Sequence, residues 1–169
     1  SHLYHLPTTG LRFFTVYGPY DRPDMALQKF TRLIMNNEPI TVFNYGKHRR
    51  SFTYIDDITE GIVRVLDKPA VAESDWDGHN PDPASSSAPY KLYNIGNNKS
   101  VELMDYIEAL EKSLGKTAKK ELLPLQPGDV VDTFADVNDL FEEFFYRPSV
   151  SVSNGVEKFA EWYLEYYGH

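Results

Sequence analysis

Two polar residues near the start of the chain stand where chemistry with an anion is expected. Thr15 lies in the run Gly10-Leu11-Arg12-Phe13-Phe14-Thr15-Val16-Tyr17-Gly18-Pro19, among bulky apolar neighbours near the end of a strand-like segment. A hydroxyl in such surroundings needs a partner or lines a site. Arg22 follows in the loop between Pro19 and Pro23, directly before a helical pattern. A strand end, a loop and a helix N-terminus together form the usual place for an anionic ligand in α/β proteins. An arginine between two prolines has little structural reason to be there. The adjacent acids Asp56 and Asp57 read differently, because Glu60 lies three residues after Asp57 and completes a capping-box pattern. They are expected to cap a helix rather than to act as a catalytic pair.

Other chemistries are excluded by composition. The 169 residues contain no cysteine, which removes disulfides, thiolate zinc sites and thiol nucleophiles together. The histidines His2, His5, His48, His79 and His169 show no close helical pairing, so no metal site is expected. Seventeen basic against 25 acidic residues give a net charge of −8, a poor balance for non-specific binding to nucleic acid or anionic membranes. An anion can bind only where a few arginines gather locally. No apolar run approaches the length of a membrane span and no signal peptide is visible, so a cytoplasmic protein is the expectation. The opening Ser1-His2-Leu3-Tyr4-His5-Leu6-Pro7 lacks an initiator Met and reads like a helix tail entering a turn. The chain is therefore expected to begin inside a larger protein.

The elements that must position these residues alternate between strand and helix. Gly10 to Pro19 reads as one buried strand closed by Gly-Pro. From Pro23 a helix is predicted, with Asp24 in its first turn and Ala26, Leu27, Phe30, Leu33 and Ile34 on one face. Ile40 to Tyr45 and Ser51 to Ile55 look like two strands of a hairpin around Gly46-Lys47-His48-Arg49-Arg50. A helix starting at Asp57 follows, with Ile58, Ile62, Val65 and Leu66 as its apolar face. Between Ala72 and Pro89 the Asp, Ser, Pro, Gly and Asn content predicts a flexible solvated loop. A strand at Lys91 to Ile95, a helix from Ser100 to about Leu114 stopped by Gly115, a short strand at Lys120 to Leu125, and helices near 137–145 and 154–167 complete the pattern. The class is α/β, in a single domain spanning 1–169.

The ordered set of blocks resembles a family. Leu11-Arg12-Phe13-Phe14-Thr15-Val16 followed by Tyr17-Gly18-Pro19-Tyr20-Asp21-Arg22-Pro23-Asp24-Met25-Ala26 is similar to the UDP-glucuronate 4-epimerases. Gly46 to Ile58 looks like that family's glycine–basic–arginine–strand–acid block. Tyr93-Asn94-Ile95-Gly96-Asn97, Gln126-Pro127-Gly128-Asp129-Val130 and Trp162-Tyr163 recur at matching intervals. The resemblance covers nearly the whole chain. It implies the C-terminal, substrate-binding portion of an extended short-chain dehydrogenase (Rossmann-type) fold, with NAD as cofactor and a UDP-sugar as substrate.

Carried over residue by residue, the resemblance gives Thr15 and Arg22 to the sugar carboxylate, a planar anion suited to a hydroxyl and a forked guanidinium. Phe13 falls beside the nicotinamide. Met25 and Ala26 fall near the sugar and diphosphate, at helix N–H groups. Phe43 packs on the uracil, Arg50 pairs with the diphosphate, and Asp129 accepts from the uridine ribose. Two positions depart from the pattern: Gln126 stands where related sugar epimerases often carry an arginine, and Ser51 where an acid is common. Structural readings remain open beside these. Phe13 and Phe43 suit a core equally well, Arg50 beside Arg49 suits a solvated hairpin tip, and Asp129 suits a turn after Pro-Gly.

The family's glycine-rich pyrophosphate turn does not occur in this sequence, nor does its Tyr-x-x-x-Lys catalytic pair. The resemblance places both upstream, so the isolated chain is expected to be inactive. In the family mechanism a tyrosinate removes the C4 hydroxyl proton while hydride passes to NAD⁺, and the 4-keto sugar turns over before reduction. Family members are often homodimers, through helices that lie mainly upstream. The alternatives are a related nucleotide-sugar epimerase, dehydratase or decarboxylase, or a non-catalytic nucleotide-sugar binding module.

Overall fold

The protein, seen in a computed structural model, is described for residues 1–168; His169 lies outside the described residues. The expected single strand at 10–19 is two strands that part at Phe14. β1 (Thr8–Phe13) pairs in parallel with β6 (Tyr90–Ile95), from Thr8 opposite Tyr90 to Phe13 opposite Ile95. β2 (Thr15–Tyr17) pairs instead with β5 (Phe52–Tyr54), also in parallel. At the switch, Phe14 N donates to Ile95 O at 3.1 Å. Parallel neighbours need long crossovers, and helices supply them.

Helix α1 (Ala26–Met35) buries Leu27, Phe30, Thr31 and Ile34, as the apolar spacing predicts. It starts three residues after Pro23, so Asp24 precedes the helix rather than sitting in its first turn. Helix α2 (Ile55–Leu66) follows β5 directly and begins two residues before Asp57. The capping-box expectation is therefore corrected. Tyr54 is the N-cap and makes no side-chain cap bond. Asp57 is buried, and its carboxylate accepts from Ser149 N at 3.0 Å, Ser149 Oγ at 3.2 Å and Val150 N at 3.0 Å. Glu60 pairs with Arg64 one turn on, at 2.7 Å. The acid serves a distant loop whose backbone donors would otherwise be orphaned.

The hairpin is also corrected. β3 (Ile40–Val42) pairs in parallel with β8 (Lys120–Leu122), not with the strand that follows it. Phe43–Gly46 form a 3-10 turn in which Asn44 (φ 50°) and Tyr45 (φ 52°) are left-handed. Gly46 has φ 80°, and a Cβ there would meet Met104 Sδ at 2.6 Å, so only glycine fits. The turn delivers β4 (Arg49–Arg50), the middle strand of a small sheet. It runs antiparallel to β7 (Val101–Glu102) and parallel to β9 (Asp132–Thr133).

Helix α3 (Leu103–Leu114) ends as expected at Gly115 in the left-handed conformation, φ 63°. Its first expected residues are used by β7. Helix α4 spans Asn138–Phe144 and α5 spans Val152–Tyr167, where Ser151 Oγ accepts from Asn154 N at 3.2 Å as a true N-cap. The main core joins α1, α3 and α5 around Tyr17, Phe52 and Tyr106, with Phe52 and Tyr106 stacked at 4.0 Å. A second cluster holds Ile58, Val65, Tyr93, Ile95, Leu140 and Tyr146. Each fully buried Leu, Ile or Phe contributes about 1.5–3 kcal/mol.

The 72–89 segment has no helix or strand. It is nevertheless tied down. Lys91 Nζ contacts Glu73 Oε1 at 2.5 Å, Glu73 N donates to Ser86 O at 3.0 Å, and Leu92 N to Ala84 O at 2.8 Å. Ser85 and Ala88 are buried. The hydrogen bond from Lys91 holds the Glu73 carboxyl below its usual range. Among the described residues no helix is long and apolar enough to cross a membrane, and no cluster of His, Asp or Glu could hold a metal.

Candidate functional site

A cleft of about 220 Å³ opens between the start of α1 and the small sheet around β4. Thr15, Ala26, Phe43, Arg50 and Asp129, all singled out from the sequence, line it. Each is placed for a local reason. Thr15 is carried by β2 opposite Phe52 of β5. Ala26 is the first residue of α1, and Met25, its N-cap, is extended and caps no N–H with its side chain. Those helix N–H groups favour negative charge. Phe43 opens the 3-10 turn, and the two left-handed residues after it let the chain reverse within four residues.

Strand alternation divides the basic block. Arg49 points outward, about half exposed, and lies 3.7 Å from Asp132. Arg50 points into the cleft with its side chain 21% exposed, so it is not a solvated hairpin tip. Its Nη1 donates to Arg49 O and Val131 O, both at 3.0 Å, and its Nη2 to Asp129 Oδ1 at 3.2 Å. Three hydrogen bonds fix the guanidinium fork at the cleft wall. Asp129 does sit on a turn, with its N–H donating to Gln126 O at 3.1 Å after Gly128 at φ 83°. The turn leaves its carboxylate facing inward. Apolar Phe30, Phe52 and Leu103, with Thr41, line the rest of the wall, giving the mostly apolar surface with few convergent polar groups that ligand sites show.

Four sequence candidates lie elsewhere or at the rim. The Arg22 side chain is 73% exposed and pairs with Asp24 at 3.3 Å, with Nη2 also 3.4 Å from Met25 Sδ. It does not converge with Thr15. An exposed ion pair of this kind contributes about 0–1 kcal/mol and does not fix the side chain. Met25 is the N-cap beside the cleft rather than one of its lining residues. Gln126 contributes its backbone carbonyl to the turn, and its side chain is exposed. Phe13 ends β1 and is 52% exposed, which is not a core position.

One residue was missed. His48 lines the cleft with its side chain only 5% exposed, and Nε2 lies 3.1 Å from Asp129 Oδ2. The signal was present in the sequence, because residues 48 and 50 share a face wherever that segment is extended. Asp21, next to Arg22, has a buried Oδ2 with no hydrogen-bond partner, and burial raises its pKa.

Known proteins resemble this chain over nearly its whole length. The chain is 58% identical to Protein CapI of Staphylococcus aureus over 99% of its length and 50% of that protein's. It is 46% identical to a probable UDP-glucuronate 4-epimerase of Rhizobium meliloti (strain 1021), over 99% of this chain and 49% of the relative. The crystal structure of UDP-glucuronic acid 4-epimerase from Bacillus cereus, in complex with UDP-glucuronic acid and NAD, superposes with a TM-score of 0.79. It is 33% identical, covering 98% of this chain and 48% of the other. The chain thus spans about half the length of the relatives it matches. The short strands alternating with helices are those of an extended, Rossmann-like α/β fold. Residues 1–96, more than half of the sequence, match the family described as NAD dependent epimerase/dehydratase, and the chain belongs to that family.

Proposed function

We propose that this chain is the nucleotide-sugar-binding part of an NAD-dependent UDP-glucuronate 4-epimerase, interconverting UDP-glucuronate and UDP-galacturonate. The observation that carries the proposal is the convergence of Arg50, Asp129 and Phe43 on one cleft at the start of α1. A fork donor suits a diphosphate, a carboxylate suits a ribose diol, and an aromatic ring suits a uracil. At about 220 Å³ the cleft is smaller than the roughly 300–1,000 Å³ that engulf a whole ligand. It suits the nucleoside end, leaving the sugar toward Thr15 and the α1 N-terminus.

NAD, when bound, would accept and return a hydride at the sugar. What this chain offers it is the half-exposed Phe13 ring at the end of β1, a surface that fits a flat nicotinamide. The residues here bind and orient. Thr15 and Ala26 would hold the sugar side, Met25 would frame the rim, and Gln126 would reach the diphosphate only by neutral hydrogen bonds. A second reading, a family enzyme for a neutral nucleotide-sugar, is favoured by one observation: Arg22 pairs with Asp24 outside the cleft.

The test is a UDP titration of the chain followed by NMR. Shifts centred on Phe43, Arg50 and Asp129, lost in Asp129→Asn, support the assignment. Saturating UDP without shifts at those residues would sink it.

A further inference from the structure

Two polar residues in the cleft wall, Thr41 and His48, are left unused by the proposed roles, and His48 is the one beside Asp129. The His48 carbonyl accepts from Leu103 N at 2.9 Å, which fixes the backbone, and its side chain is only 5% exposed. Nε2 stands 3.1 Å from Asp129 Oδ2, a distance that suits a hydrogen bond. The direction does not: the buried nitrogen has no hydrogen-bond partner. Such a group is costly to leave unmade. Meanwhile the other Asp129 oxygen, Oδ1, is already taken by Arg50 Nη2 at 3.2 Å. The carboxylate therefore lies between two side chains, one hydrogen-bonded to it and one within reach but not bonded.

We propose that His48 is a positioning residue for Asp129, completing its hydrogen bond when a nucleotide enters and so aiming the carboxylate at a vicinal diol. This rests on the cleft being a uridine-nucleotide site, and adds the group that makes the site prefer ribose over deoxyribose. A carboxylate has about four acceptor positions. With Arg50 on Oδ1 and His48 on Oδ2, one position on each oxygen remains. Two acceptors side by side match two neighbouring hydroxyls. Without His48 the carboxylate is held at one oxygen only and can swing about the Arg50 contact, so the second hydroxyl loses its acceptor.

The experiment is calorimetric titration of the chain with UDP and with 2′-deoxy-UDP. The wild type should prefer UDP by about tenfold or more, the range for a hydrogen bond to a charged group. His48→Phe should reduce that preference to within about threefold, mainly by weakening UDP. His48→Gln, which keeps an N–H of similar reach, should restore most of it. In an Asp129→Ala background, His48→Phe should change neither ligand further, because its effect passes through the carboxylate. Far-ultraviolet circular dichroism checks the fold; should the phenylalanine variant not fold, His48→Asn, whose amide falls short, takes its place with the same expected loss. A wild-type preference that survives His48 substitution, or a His48 effect that persists without Asp129, overturns the inference alone. Absence of UDP binding by the wild type overturns the uridine-nucleotide reading and this inference with it.

Discussion

Arg50 Nη2 and Asp129 Oδ1 lie 3.2 Å apart although the residues are 79 positions apart in the chain. The contact joins the strand after the 3-10 turn to the Gln126–Asp129 turn, and it closes one side of the cleft. Both side chains are partly buried, 21% and 34% exposed, so the pair is shielded from bulk water more than a surface ion pair.

Arg50→Ala should weaken UDP, UDP-glucose and UDP-glucuronate alike, because the diphosphate is common to all three. Losing one partner of a shielded, hydrogen-bonded charge pair costs about 2–5 kcal/mol. Calorimetry with the three ligands checks this. An effect confined to the acidic sugar would mean that Arg50 does not face the diphosphate.

Arg22 should behave oppositely. In the intact protein, Arg22→Ala should lower kcat/KM for UDP-glucuronate by roughly ten- to a hundredfold, the equivalent of about 1.5–3 kcal/mol, with UDP binding little changed. Arg22→Lys keeps the charge but loses the planar fork, and should recover only part. For this the guanidinium must leave Asp24 and turn to the sugar. Unchanged turnover of UDP-glucuronate would favour the neutral-sugar reading.

Asp57→Asn should destabilise the fold by about 1.5–3 kcal/mol in urea unfolding, the range for hydrogen bonds to a charged acceptor. It leaves the Ser149 and Val150 donors without a charged partner in a partly buried setting. A change under about 0.5 kcal/mol would show that the 149–150 loop anchors itself.

Alkaline pH should weaken the fold through its core tyrosines. Burial raises the Tyr17 and Tyr106 hydroxyls above their ordinary value of 10.0, and their neighbours (Tyr54 and Asp57 for Tyr17, Tyr17 and Asp21 for Tyr106) add to the rise. A pKa raised in the folded state means that stability is complete below pH 10 and declines above it, as the unfolded chain releases protons that the folded one keeps. Each such group gives a slope of up to about 1.4 kcal/mol per pH unit. Tyr17→Phe should flatten the loss, measured as urea midpoints between pH 9 and 11. An unchanged slope would assign the alkaline loss to other groups.

Local signals were legible in the sequence and non-local ones were not. Gly115 closes α3 where expected because a helix stop depends on neighbouring residues alone. The hairpin failed because β3 and β5 each found a distant parallel partner, and nothing within 40–55 reports on residues 120–122. Asp57 was misread for the same reason, since its partners are 92 and 93 positions away. In the cleft, family resemblance reached Arg50 and Asp129, while His48 needed the strand alternation to be seen. The 72–89 composition predicts a solvated loop, and it could not reveal that Ser85 and Ala88 would be buried or that Ser85 would bridge Lys91 of β6.

The sheet that carries Arg50 has strands only two residues long. So few ladder bonds give it little protection of its own against transient opening, and such segments exchange their amide hydrogens early. What secures it are long-range ties, Arg50 to Val131 and Asp129, and Leu103 N to the His48 carbonyl. A ligand bridging Arg50 and Asp129 would therefore act as an extra cross-link. Part of its binding energy would go into quieting local unfolding, and the protected amides would include those of β4 and β9 that never touch the ligand.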